Sequence, residues 1–481
     1  MEYQIFPQIL HPTISKSHSP PCRGDFRGIE SMKITQFHHS LWLITPIVLI
    51  ITTIAILSEK ATLPIKPNLD AYSFELNLPG TTDRKQLIQR EIELYQAKLQ
   101  QDPNSGMNLA SLGNAYWKLG KATGEVSWYL LAEETANRSL ALLPFENASA
   151  KLTLAQVAQA RHEFKTAQNI ALDIIKTKAR NDEARSILVT CALATGDLLS
   201  AETQVNIIVN RSPDLNSLTL QALVEEAQGK PSSVETFRLA IQTEEVGEVG
   251  PSALVRVMLG RHFYNQGKLD QAESLYQEAL RILPRYPLAL INLATVQTRR
   301  GQYAEADRTY DQIIAYSQQS TNIYDHTVLR GKARLKQLQN QPYDDLLQKA
   351  ETLLRQDTNA GHTNGAFGHR RELAQLLLDR RQNNDSAEAL ALMQEEIKVR
   401  QDSQTYSVLA RAFVSNDRIY EAREAIQIAL NSGIKSAGIF KQASDIEQRL
   451  GNIEQSKIYS TNSQNIDPNF EKSLQALQIN F

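Results

Sequence analysis

The chain has few of the residues that announce a chemistry. Two cysteines, Cys22 and Cys191, stand in 481 residues. One lies in a polar tail and the other in an expected helix, so a disulfide framework is excluded. The formal net charge of −2 offers no broad electrostatic attraction for nucleic acid. No CxxC, HxxxH or HExxH is present, and no Walker loop, nucleotide-binding GxGxxG, GxSxG elbow or basic stripe with interleaved aromatics. The sequence therefore predicts no enzyme, no cofactor and no nucleic-acid partner. Long apolar runs are also scarce, with one exception near the N-terminus.

That exception is the run 41–57, which carries no charge. It lies at the short end of what spans a bilayer as a helix, about 17–25 residues. It exceeds the apolar core of a cleaved signal, about 7–15 residues, and no clear small-x-small site follows. It is apolar on every face, which argues against a buried soluble helix. The expectation is a single transmembrane anchor. A cleaved signal, which would leave a secreted soluble binding protein, is the alternative. Residues 1–40 are polar and irregular and are expected to be a disordered tail. The tripeptide Arg23-Gly24-Asp25 within it is read as chance. Met32 has the look of a natural start. Lys16, Arg23, Arg27 and Lys33 before the run, against Lys60 and Lys66 after it, favour an extracytoplasmic C-terminal part. With Met32 as the start, only Lys33 precedes the run and that bias disappears.

Residues 58–83 form an expected linker with Pro64, Pro67, Pro79 and Gly80. Then helical periodicity begins, with Leu87, Ile88, Ile92, Tyr95 and Leu99, and stops at Asp102-Pro103-Asn104. The clearest stretch is 253–286. There Leu259, Gly260, Phe263, Gly267, Ala272, Tyr276, Ala279 and Pro284 fall where two closely crossing antiparallel helices need them. Small residues (Gly260, Ala272) allow the backbones to approach, and aromatics (Phe263, Tyr276) fill the space beside the crossing. Gly267 closes the first helix, and Pro284 stops the second. One such pair cannot bury its own apolar face, so neighbours are required. They recur at 106–144, 148–181, 182–215, 215–248, 287–320, 324–357, 367–401, 403–436 and 437–470, with 471–481 as a terminal capping helix. In the first of these, roughly seven extra residues around 123–130 suggest a lengthened corner relative to a 34-residue unit.

These offsets, sustained over residues 84–481, resemble the tetratricopeptide repeat (TPR) family. The resemblance implies an all-α fold, an α-solenoid of about ten helix pairs coiled into a right-handed superhelix. It also implies a concave face that holds peptides or other proteins. Carried over residue by residue, the concave positions are Asn114, Trp117, Gln156, Gln159, Arg261, Tyr264, Lys332, Arg371, Gln375 and Arg411. The carboxylate clamp of chaperone-binding members is absent. Asn292 matches its middle asparagine, but Arg261, Asp325 and Leu329 occupy the other positions.

The stretch 361–372 breaks the pattern with Gly361, Gly365 and Gly368 ahead of two arginines. His362, His369 and Arg370 make it a candidate partner-binding loop, against a plain connection. A metal site built on His326, His362 and His369 is a weaker rival. The functional expectation is a membrane-anchored protein-binding scaffold, extracytoplasmic and periplasmic in a bacterium. Architecturally similar proteins, one anchor followed by such repeats, act as assembly factors for membrane enzymes.

Overall fold

The computed structural model describes residues 84–245, 247–316, 321–359, 369–382 and 384–477. The expected tail, anchor and linker (1–83), His362 and most of the glycine-rich stretch lie outside them. Residues Leu69–Phe481 form one compact unit. Among the described residues there are twenty-two helices and no strand, and no helix is long and apolar enough to cross a membrane.

Helix α1 is Arg84–Gln101. Ten pairs follow, each with a first helix (A) and a second (B). They are α2 Gly106–Thr123 with α3 Val126–Leu142, α4 Ala148–Ala160 with α5 Phe164–Thr177, and α6 Asp182–Ala194 with α7 Leu198–Arg211. Next come α8 Leu215–Ala227 with α9 Ser233–Gln242, α10 Val249–Asn265 with α11 Leu269–Ile282, and α12 Pro287–Arg299 with α13 Tyr303–Tyr316. The last four are α14 Asp325–Leu338 with α15 Asp344–Asn359, α16 Arg370–Arg380 with α17 Asp385–Glu396, α18 Ser403–Val414 with α19 Ile419–Asn431, and α20 Ala437–Arg449 with α21 Ile453–Ile466. Helix α22, Phe470–Ala476, ends the array.

Local chemistry sets these boundaries. Ser105, Asn147, Asn181, Asp214, Asp402 and Ser436 precede A helices and accept a hydrogen bond from the backbone three residues on. Pro144, Pro213, Pro284 and Pro468 follow B helices, where a missing N–H and a fixed φ stop the helix. Inside each pair alanines at the crossing are fully buried, as at Ala155, Ala167, Ala272 and Ala422. At Gly260 the requirement is absolute, because a Cβ there would meet the Tyr276 ring at 2.5 Å.

The first pair departs from the lengthened corner expected of it. Its corner is only Gly124 and Glu125, and the extra residues extend both helices, to 18 and 17 residues. The reason is apolar: Trp128 stacks on Tyr116 at 5.8 Å, and Tyr129 is buried against Gly120. Unwinding those residues into a loop would expose both rings.

A second level of organisation appears at long range. The A-to-B corner of each of the first four pairs touches the entry to the pair six further on, and the corner of the fifth touches the entry to α22. At the first corner Val126 N–H donates to the Thr321 carbonyl at 3.0 Å and Ile323 N–H to that of Gly124 at 2.9 Å. At the second, the His162 ring meets that of His369 at 5.9 Å. At the third, Gln401 N–H donates to the Ala194 carbonyl at 3.0 Å. The fourth brings Gly229 against Gly433, and the fifth Gly267 against Asp467 at the entry to α22. Six pairs thus complete one turn, and the next turn rests on the first along a seam. Among the described residues each apolar core cluster runs between neighbouring pairs, and none joins residues six pairs apart. The seam is mainly polar, with the Phe164 ring against Arg400.

Candidate protein-binding face

The concave face that the repeat resemblance implies would be lined by the A helices and their junctions. The ten side chains expected there are all half-buried, and they divide by what they touch. Lys332 is turned toward the preceding B helix, where it pairs with Asp307 at 2.8 Å and Asp311 at 2.6 Å. Arg371 contacts Glu372 at 3.2 Å and Asp402 at 3.4 Å. Arg411 binds Asp379 at 2.8 Å and the Leu378 carbonyl at 3.0 Å. Tyr264 lies under the Arg299 guanidinium, 5.4 Å from its ring centre, and Trp117 carries the Lys121 ammonium at 5.1 Å. Asn114, Gln156, Gln159, Arg261 and Gln375 make no side-chain hydrogen bond or ion pair among the described residues. Asn292, the remnant of the absent clamp, donates to the Leu288 carbonyl of its own helix at 2.6 Å.

A cluster of charged and imidazole side chains lies at the second seam contact. His369 caps α16 and is buried, with its ring 4.6 Å from that of His326 and 5.9 Å from that of His162. Burial, with His369 and Arg330 beside it, pushes the His326 imidazole down to about 3, so it is neutral at ordinary pH; Glu372 opposes the shift. Burial alone would raise the Glu372 carboxyl, but Arg371 and Arg400, then His369 and His162, hold it well below the usual carboxylate range. Arg370 reaches Glu396 only at 3.9 Å, and Arg400 lies over the Phe164 ring at 5.8 Å. Among the described residues no group of three His, Cys, Asp or Glu side chains is arranged to hold a metal ion.

Sequence reasoning missed His162, Phe164 and Arg400, because their partners lie a whole turn away. It also missed Arg299. This residue donates to Asp467 at 2.6 Å and to Ser473 at 2.9 Å, tying the terminal helix to the sixth pair. A faint signal existed. Gly124, Gly196, Gly229 and Gly267 stand at positive φ at corners that the next turn touches. The signal is not clean: His162 takes that conformation at the second corner, and Gly301 and Gly451 take it where nothing from another turn approaches.

Residues 263–325, from the corner of the fifth pair to the start of the seventh, match the family model described as tetratricopeptide repeat. Within that stretch the chain carries tetratricopeptide-repeat sequence. Cellulose synthase 1 operon protein C of Komagataeibacter xylinus is 23% identical to this chain over 227 residues. That match takes in 46% of this chain and spans 17% of the relative's length. A crystal structure of a tetratricopeptide repeat protein from Parabacteroides merdae is 16% identical, with a TM-score of 0.32. It covers 59% of this chain and 98% of its own.

Proposed function

We propose that the chain is a membrane-anchored TPR scaffold that holds an extended segment of another protein against its concave face. The observation that carries this reading is the set of concave polar side chains left without an internal partner: Asn114, Gln156, Gln159, Arg261 and Gln375. An amide side chain offers both a donor and an acceptor, matching the N–H and C=O of an extended backbone. Asn114 and Gln156 stand on neighbouring A helices, and Trp117 lies one helical turn from Asn114 to receive an apolar side chain.

The seam bears on how a segment reaches that face. Successive turns are in contact, so entry is along the superhelix axis or by parting the seam. Parting it breaks mainly polar contacts and, among the described residues, divides no apolar core cluster. The uncharged run 41–57 supports anchoring, which would raise the local concentration of the face at a membrane, with the repeats in an extracytoplasmic compartment. The name of the relative, an operon protein of cellulose synthase, supports a partner belonging to a synthase complex.

The reading is tested by a crosslinking pull-down from membranes with the full chain and with the Asn114→Ala, Gln156→Ala, Gln159→Ala variant. A partner that is lost in the variant supports the concave site. A partner retained at full yield refutes it. Resistance of the full chain to carbonate extraction tests the anchor separately.

A further inference from the structure

The concave wall changes character after the sixth pair, where positive charge collects at the junctions between A helices. Arg330 of α14 and Arg411 of α18 both reach Asp379 of α16, at 3.2 and 2.8 Å. Arg334, one turn along α14 from Arg330, lies in the field of the same Asp379 and Arg411. Its Nη1 donates to Gln337 at 2.6 Å, while its Nη2 is buried without a hydrogen-bond partner. Burial, with the Arg411 guanidinium beside it, holds Arg334 below the ordinary arginine value, and Asp379 opposes the shift. Beyond α18 a cleft opens toward α20, walled by Arg411, Val414, Gln442, Asp445, Ile446 and Arg449. Asp445 is taken by Lys441. Arg449 is exposed and has no ion pair among the described residues. Five cations (Arg330, Arg334, Arg411, Lys441, Arg449) therefore face two acids (Asp379, Asp445), in a chain whose net charge is −2.

We propose that this strip binds an acidic, extended segment of a partner protein, with carboxylates seated at Arg334, Arg411 and Arg449. The inference deepens the protein-binding reading of the same face and rests on it. The spacing selects the ligand. Neighbouring helix axes lie about 8–10 Å apart, so α14 and α20 are separated by roughly 25–30 Å, which no single carboxylate bridges. An extended chain rises about 3.3 Å per residue and covers that span with roughly eight or nine residues. Val414 and Ile446 give the cleft an apolar surface beside these charges.

The test is fluorescence anisotropy of the detergent-solubilised full chain with a fluorescein-labelled peptide of alternating Glu and Val. Saturable binding is expected, weaker at high salt and absent for the same peptide with Lys in place of Glu. A charge-assisted hydrogen bond contributes a factor of about ten or more. Arg449→Ala should therefore weaken binding about tenfold, and Arg334→Gln with Arg449→Ala about a hundredfold. Arg449 is exposed, so its variant folds. Equal competition by a neutral peptide with one free C-terminal carboxylate would overturn the extended-segment claim. Acidic-peptide binding that survives both arginine changes, or no binding at all, would overturn the strip. Either result leaves the concave-face reading standing if the pull-down still loses its partner in the Asn114, Gln156 and Gln159 variant.

Discussion

Two glycines separate what the seam requires from what the helix corners require. Gly229 and Gly301 both close an A helix at positive φ, +67° and +76°. An alanine in that conformation costs about 1–2 kcal/mol in strain. At Gly301 nothing lies within 4 Å of an added Cβ, so strain is the whole cost. At Gly229 the Cβ would lie 1.8 Å from the Gly433 carbonyl oxygen of the next turn. Gly433 approaches as closely from its side, its own Cβ meeting the Gln228 carbonyl at 2.6 Å. Neither backbone can yield without parting the seam there. The neighbouring Gln401-to-Ala194 hydrogen bond, worth about 0.5–1.5 kcal/mol, would go with it. Gly229→Ala should therefore cost about 1.5–3.5 kcal/mol against about 1–2 for Gly301→Ala. The assay is native-state hydrogen exchange at the Gln401 amide, with small-angle scattering for overall size. Gly229→Ala should accelerate that amide and expand the particle, and Gly301→Ala should do neither. Identical behaviour of the two variants would refute the seam.

Three further outcomes follow from buried charge. Arg256 is fully buried and paired with Glu244 and Glu278, so Arg256→Met strands two carboxylates and should cost about 3–5 kcal/mol by urea denaturation. Adding Glu244→Gln and Glu278→Gln should recover most of that loss. Arg299→Ala should release α22, seen as loss of exchange protection confined to residues 467–476, with the earlier pairs unchanged. His326 binds a proton at about 3 when folded and at 6.5 when unfolded, so the unfolded chain takes up the extra proton between those values. Stability should fall as pH drops below 6.5, by up to about 1.4 kcal/mol per pH unit. His326→Asn should remove that part of the slope while Glu372 and Arg330 remain in place. A variant as pH-sensitive as the parent would contradict the assignment.

The helix pairs were legible in the sequence because their determinants are local. The spacing of Gly260, Phe263, Ala272 and Tyr276 encodes one crossing, and Ser, Asn and Asp caps with trailing prolines mark its ends. The turn-on-turn contacts were not legible. They depend on a small rotation per pair, accumulated over six pairs until residues such as Thr123 and Asn322 become neighbours. The same distance hid the fate of the concave cations. From sequence, Arg371 and Arg411 are free groove residues, and only the folded array shows Asp402 and Asp379 against them. The corner of the first pair misled for a different reason. A count of residues registers an insertion, but only packing shows that Trp128 and Tyr129 hold it helical.

The central claim is that the concave face, rather than the outer one, receives a protein segment. Its most direct test is site-specific photocrosslinking in cells, with a photoreactive residue in place of Gln156 on the inner wall and of the exposed Leu172 on the B helix α5. The account predicts a discrete protein adduct from position 156 that is lost in the Asn114→Ala, Gln159→Ala background, and none of that mass from position 172. The same adduct from both positions, or an adduct from 172 alone, would contradict it.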